Sequence, residues 1–185
     1  MRYTTYEVFG VNFVRHAVTP ERIAHSIDEL TDDAIKVGPV AAGPGGVATV
    51  TAAGRVGKIS VIPEKIDELV RFRAVLPIQL DLEVRLGPVP NRYNGRVEVP
   101  LSLTVRAAEP LIIVIEIAPV IGRDIVVDLE PSHMGAELLQ KVGNLDAEVK
   151  AEVAKVVNPR LESKEAMKTR VIDVGALVED SVQRD

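Results

Sequence analysis

Apolar and polar residues alternate without a break over positions 70–86. Every even position carries Val, Phe, Ala, Leu or Ile, whereas the odd positions are mostly polar or charged. A period of two is typical of a strand that buries one of its faces. Seventeen residues at about 3.3 Å each span roughly 56 Å, well beyond the usual strand length of about 17–20 Å. Because sheets twist, so long a strand must coil, and its apolar face must be covered along its whole length.

The same segment also allows a second interpretation, in which two ordinary strands meet at a bend at Pro77. Proline is tolerated at sheet edges and bulges, and Pro77 lies on the polar side of the pattern. In both interpretations the even positions face the core.

Further strands are predicted on both sides of this segment. Residues 47–56 and 59–62 are rich in Val, Ile, Thr and Ala, with Gly54 and Gly57 indicating a bend or bulge between them. Residues 63–69 read as a turn, with one helical turn in it. Asn94-Gly95 is typical of a hairpin turn. Strands follow at 97–105, with the odd positions apolar, at 111–117, which is apolar on both faces except for Glu116, and at 125–129.

Helical periodicity is confined to the two ends of the chain. Thr19-Pro20 is a good helix start, after which Ile23, Ile27 and Leu30 recur at helical spacing up to a stop at Gly38-Pro39. A helix is predicted over 132–142 and another from Asp146 to Asn158-Pro159. A short strand at 171–174 and a last helical segment at 176–182 complete the prediction.

These elements predict an α+β fold, in which a long, strongly coiled antiparallel β-meander wraps around N- and C-terminal helices. With 185 residues, 46% of them apolar, the chain is expected to form a single domain over 1–185. Residues 19–161 would form the core of the fold, and residues 162–185 a C-terminal extension.

Composition narrows the function classes. Only three Phe, three Tyr and no Trp are present, which disfavours stacking on bases or flat cofactors. The net charge of −5 and the scattered basic residues argue against a nucleic-acid partner and against capture by an anionic membrane. Without cysteine there is no disulfide or thiolate chemistry. The N-terminus does not read as a signal peptide, and no apolar run spans a membrane, so we expect a cytoplasmic protein.

No catalytic or metal-binding motif withstands inspection. The segment 43–48 fits G-x-G-x-x-A but follows a predicted helix and precedes a strand, the reverse of a dinucleotide site. His16, His25 and His133 lack metal-ligand spacing, so no metal or cofactor is expected. Ser132 beside His133 is read as a helix cap.

Three arginines and one acid within the strands are given structural roles. Glu116 is expected to point to the polar side of its strand. Arg71, Arg73 and Arg85 share the outer side of the sheet with acidic residues. They are expected to form cross-strand ion pairs rather than an anion site.

The strand phrases VEVPLSLTV (97–105) and LIIVIEIAPVIGRDIVVDLE (111–130) resemble the turn-linked strands of the tubular lipid-binding superfamily. That superfamily includes bactericidal/permeability-increasing-like proteins and SMP domains. The segment AEVKAEVAKVVNPRL (147–161) is similar to its late helix. The resemblance covers about 19–161 and implies a lipid ligand without catalytic residues. The missing export signal departs from many bacterial members.

The sequence therefore predicts non-catalytic binding of a lipid or another elongated aliphatic small molecule in an apolar groove. An alternative is a helix-grip fold of the START or polyketide-cyclase type, disfavoured because Asn158-Pro159 interrupts the last long helix. A fully packed protein-interaction domain and a homo-oligomer also stay open. The predicted groove residues are Ile23, Ile27, Leu30, Phe72, Leu76, Ile78, Leu80, Leu82, Leu101, Leu103, Ile113, Ile115 and Val153.

Overall fold

The computed structural model of the protein describes residues 1–31, 34–66, 69–88, 90–131 and 145–182. Five α-helices are present in this part of the chain: α1 (Tyr6–Ala17), α2 (Pro20–Thr31), α3 (Leu145–Leu161), α4 (Lys164–Thr169) and α5 (Val174–Val182). Its eight strands are β1 (Ile35–Ala42), β2 (Ala48–Val56), β3 (Ser60–Ile66), β4 (Leu69–Arg85), β5 (Pro90–Ala108), β6 (Ile112–Ile117), β7 (Val126–Pro131) and β8 (Val171–Asp173).

All eight strands form one antiparallel sheet in the order β1-β2-β4-β5-β6-β8. β3 continues beyond β2 along the same edge of β4, and β7 continues beyond β6 along the far edge of β5. The sheet is strongly curled, so the predicted α+β class with a coiled antiparallel meander is confirmed.

The strand predicted from the alternation is a single element. β4 runs for 17 residues without a break and pairs with β5 from Val70, opposite Val105, to Arg85, opposite Pro90. The alternative of two strands with a bend at Pro77 is therefore wrong.

Pro77 is accommodated because its missing N–H faces a gap in the neighbouring strand. β2 stops at Val56, opposite Ile78, and β3 starts at Ser60, opposite Val75. Between them, Gly57 donates its backbone N–H to the Pro77 carbonyl at 2.8 Å. A strand's N–H and C=O groups at one residue point to the same side, so Pro77 removes a donor only where the ladder is already interrupted.

The hairpin predicted at Asn94-Gly95 is wrong. β5 starts at Pro90, and Asn94 and Gly95 both lie inside its ladder, opposite Asp81 and Leu80. The chain turns earlier, with Gly87 at a φ of 81°, a conformation that favours glycine.

The two faces of the sheet follow the predicted register. The even residues of β4 are buried and stand opposite odd residues of β5, of which those from 97 to 105 are all buried, as at Phe72 and Leu103. In β6, Ile113 and Ile115 are buried, whereas the outward side is only half-covered.

Helices α2 and α3 pack against the inner face. Ile23 and Ile27 of α2 and Val149, Val153 and Val157 of α3 belong to the same buried cluster as the sheet residues. Ile23 and Ile27, which belong to the apolar stripe predicted for α2, are thus in the core.

Helix boundaries differ from the prediction at two places. α2 ends at Thr31, and Gly38-Pro39 lie inside β1, where the ladder to β2 is shifted between Val37 and Val40. The end predicted for α2 at Gly38-Pro39 is therefore wrong, because residues 35–37 already belong to β1 and pair with β2. Helix α3 continues to Leu161 with Pro159 inside it, so Asn158-Pro159 does not end it.

Other segments give a mixed outcome. The turn predicted at 63–69 is wrong for residues 63–66, which belong to β3, and for Leu69, which begins β4; residues 67–68 lie outside the described part of the chain. The short strand β8 and the helix α5 were predicted, whereas α1 and α4 were not. The helix predicted over 132–142, with Ser132 and His133, lies outside the described residues.

Candidate functional site

The residues predicted to line an apolar groove come together in the interior of the curled sheet. On neighbouring strands, Leu76 stands opposite Val99 and Ile78 opposite Val97. The buried members are Ile23, Ile27, Phe72, Leu76, Ile78, Leu80, Leu82, Leu101, Leu103, Ile113, Ile115 and Val153. Leu30 belongs to α2, but its side chain lies outside the described part of the chain.

The space beside these residues is almost filled by α2 and α3. Between α3 and strands β1, β2 and β4 there is a cavity of about 10 Å³, lined by Val37, Leu80, Val149 and Val153 among others. That volume corresponds to roughly one water molecule. An acyl chain would enter here only if the helices moved away from the sheet.

A larger apolar space lies at one end of the curled sheet, beneath helix α1. This space, the α1 crevice, has a volume of about 420 Å³. Gly10, Val11, Phe13 and Val14 line it from the helix. From the sheet, Val70, Val105 and Ile113 line it. These three sheet residues have interior-facing side chains near the strand ends, so the α1 crevice is an opening at the end of the core.

A second crevice adjoins the first on the other side of Leu69 and Val70, which line both. It has a volume of about 520 Å³ and lies between the α1–α2 connection and strands β3 and β4. Val18 and Phe72 contribute apolar surface. Its charged lining residues are Arg15, Glu64 and Arg71.

Helix α1 holds this end of the molecule loosely. Thr5 caps it by accepting a hydrogen bond from the Val8 N–H at 3.3 Å, yet no residue of the helix is buried. Four of the six aromatic residues of the chain lie here and are exposed, and the Phe9 and Phe13 rings stack with centroids 6.4 Å apart. The other two of the four are Tyr3 and Tyr6.

Helix α1 was not predicted from the sequence. The usable signals were Thr5 as a cap and aromatic residues at positions 6, 9 and 13, a spacing of three and four residues. Since the prediction of function rested on the strands, the part of the candidate site contributed by α1 was missed.

The polar groups considered from the sequence lie elsewhere. Glu116 is exposed on the outer side of β6, as predicted, and its Oε2 accepts a hydrogen bond from Arg106 Nε at 2.6 Å. His16 on α1 and His25 on α2 are both exposed. In the described part of the chain, no three His, Asp or Glu side chains are grouped so as to hold a metal ion.

The three arginines of β4 do not behave alike. Arg73 forms the predicted cross-strand pair, with its Nη2 2.5 Å from Glu64 Oε1. Arg85 pairs instead with Glu83 on its own strand, at 2.7 Å. Arg71 is half-buried, and its Nε is buried without a hydrogen-bond partner.

The outer face of the sheet carries two further open grooves. One, of about 570 Å³, is lined by Lys36, Asp81, Glu83 and Arg92 together with apolar residues such as Ala53, and the other, of about 350 Å³, lies near Asp128. Acidic and basic side chains line both grooves.

None of the helices described is long and apolar enough to cross a membrane. Searches with family models and against curated proteins find no match to this chain. The resemblance to the tubular lipid-binding superfamily therefore stays a prediction from the sequence, and the functional argument rests on the geometry of the crevices.

Proposed function

We propose that this protein binds, without catalysis, a lipid or similar amphiphile, and that the aliphatic chain of this ligand lies in the α1 crevice. The observation that supports this proposal is the contrast between the cavity of about 10 Å³ beside α3 and an apolar crevice of about 420 Å³ at the end of the core. Ligand sites usually measure about 300–1,000 Å³ and are lined mainly by apolar side chains.

The expected affinity follows from the area that such a chain would remove from water. Burying one methylene contributes about 0.8 kcal/mol, so twelve carbons contribute up to roughly 10 kcal/mol before the costs of association and ordering. Because the crevice is open on one side, part of that gain is lost, which leaves micromolar affinity as the expected range.

Gly10 allows a direct test. A Cβ at this position would meet no atom within 4 Å, and the residue lines the crevice. Gly10→Leu would place an apolar side chain in the space assigned to the ligand while improving helix propensity by up to about 1 kcal/mol. We expect this variant to be at least as stable as the original protein and to bind dodecanoate at least tenfold more weakly in calorimetric titration.

The matched control is Gly10→Ala, which keeps most of the helix effect but fills little of the crevice. Its affinity for dodecanoate should stay within about twofold of the original. Undiminished binding by Gly10→Leu would place the ligand elsewhere. No binding by the original protein, together with no lipid in native mass spectra of fresh preparations, would favour the packed protein-interaction alternative, with the exposed Tyr3, Tyr6 and Phe9 as its contact surface.

A further inference from the structure

The charges around the two crevices are unequal. Among the described residues that line them, Arg15, Arg71 and Arg106 are cationic and Glu64 is acidic. The chain as a whole has a net charge of −5. The described lining of the two crevices is therefore more cationic than the chain as a whole.

Glu64 and Arg106 already have partners on the protein. Glu64 accepts from Arg73, and Arg106 donates to Glu116. Arg71 differs from both, since its Nε is buried without a hydrogen-bond partner. A buried donor without a partner is costly, and such groups are rare in native structures unless a ligand or water completes them.

The position of Arg71 suits the polar end of a ligand whose chain lies in the α1 crevice. Leu69 and Val70 line both crevices, so an aliphatic chain beneath α1 passes over them to reach the space lined by Arg71 and Arg15. Guanidinium groups bind carboxylates and phosphates through strong charge-assisted hydrogen bonds.

We propose that the ligand is a single-chain anionic amphiphile, whose carboxylate or phosphate is bound by Arg71, with Arg15 adding positive charge. This inference rests on the proposed function, because it assigns the polar end of the same ligand. Carboxylate and phosphate ligands of this kind share one apolar chain and one group with anionic oxygen atoms.

The test compares ligands that share a chain and differ in the polar group. Dodecanoate, dodecyl phosphate and dodecanol are titrated into the full-length protein below their aggregation concentrations, and acetate and inorganic phosphate are titrated separately. We expect both anionic ligands to bind roughly tenfold or more tightly than dodecanol, and the two small anions to show no binding at millimolar concentration.

Arg71→Gln should lower the affinity for the anionic ligands about tenfold or more and leave the affinity for dodecanol within about twofold. Arg85→Gln is the matched control, since Arg85 lies on the same strand and face, far from both crevices, and its replacement changes the net charge equally. The Arg85→Gln variant should still bind the anionic ligands more tightly than dodecanol. Unchanged dodecanol binding also verifies that Arg71→Gln is folded.

The outcomes separate this inference from the proposed function. Equal binding of dodecanoate and dodecanol by the original protein, or a preference that survives Arg71→Gln, would overturn the anionic headgroup site while leaving the aliphatic site in place. Binding of phosphate or acetate alone, equal to that of the amphiphiles, would identify a free-anion site and also overturn it. Binding of none of the dodecyl ligands would refute the proposed function itself.

Discussion

At the scale of single residues, two glycines that look alike in the sequence have different roles. Gly54 and Gly57 were both interpreted as signs of a bend, but Gly54 lies in a regular part of the β2 ladder, between Ile35 and Leu80. A Cβ at Gly54 would lie 2.7 Å from Leu80 Cδ2 and 3.0 Å from Ile78 Cγ2. Gly54 therefore makes room for core side chains, whereas Gly57 occupies the gap between β2 and β3.

This difference predicts that replacement by alanine destabilises the protein at Gly54 but not at Gly57. Gly54→Ala should lower the free energy of unfolding by about 1–3 kcal/mol, because the extra methyl overpacks a buried contact. Gly57→Ala should change it by less than about 0.5 kcal/mol, since the nearest atom to its Cβ, Pro77 Cγ, is at an ordinary 3.4 Å. Urea denaturation of both variants checks this, and equal losses would contradict the packing role of Gly54.

Asn158 illustrates a residue whose role the sequence misrepresents. Its Oδ1 accepts from the Val120 N–H at 2.8 Å, and its Nδ2 donates to the Val120 carbonyl at 3.0 Å, so it fastens the β6–β7 connection to α3. Asn158→Asp should cost about 1–3 kcal/mol, because a carboxylate then faces a carbonyl oxygen. Relative to the original protein, the loss should shrink below about pH 4, where the protonated Asp regains a donor. Thermal melts over pH 3–7 measure this; a loss independent of pH would contradict it.

At the scale of elements, the sequence correctly predicted strands and helices whose apolar residues recur regularly over many positions. Seventeen alternating residues defined β4 and its buried face, and the helical spacing of Ile23 and Ile27 defined the inner side of α2. Signals of two or three residues misled, because their local preference was overridden by pairing. Asn94-Gly95 suits a tight turn, yet Gly95 lies within β5, opposite Leu80 of β4. A Cβ at Gly95 would be 2.7 Å from Leu129 Cδ2.

The register of the two long strands can be tested with neighbouring positions of β5. Leu103 is 2% exposed and stands opposite Phe72, whereas Ser102 is exposed opposite Arg73. Leu103→Asp should lower the unfolding free energy by more than about 3 kcal/mol, since it buries an unpaired charge. Ser102→Asp should stay within about 0.5 kcal/mol. Similar unfolding midpoints for the two variants would show that the strand faces are assigned wrongly.

The candidate site was less predictable than the sheet, for a physical reason. Its apolar walls come from strand ends that periodicity identifies, such as Val70 and Val105, but its roof is a helix with no buried residue. A helix that buries little leaves only a weak apolar stripe in the sequence. The crevice arises from how loosely α1 covers the end of the core, which a sequence pattern does not encode.

At the scale of the whole molecule, the two crevices near α1 lie at one end of the curled sheet, whereas the cavity beside α3 measures only about 10 Å³. The buried apolar residues of the described chain run from Val18 to Ala166 and exclude all of α1. Stability and binding are therefore expected to reside in different parts of the protein, the first in the sheet with α2 and α3, the second beneath α1.

Removing residues 1–16 tests this separation and also locates the ligand. This deletion removes only the half-buried contacts of α1, so the shortened chain should still unfold cooperatively. Its free energy of unfolding should fall by about 2 kcal/mol, which corresponds to a Tm decrease of roughly 4–8 °C for a chain of this size. Dodecanoate binding should disappear, because Gly10, Phe13 and Val14 no longer cover the crevice. Circular dichroism melts and calorimetric titration of the shortened and full-length chains measure both effects. If the shortened chain kept its affinity, the ligand would lie among the interior residues predicted from the sequence, such as Leu101 and Val153, and α2 and α3 would have to move apart to admit it.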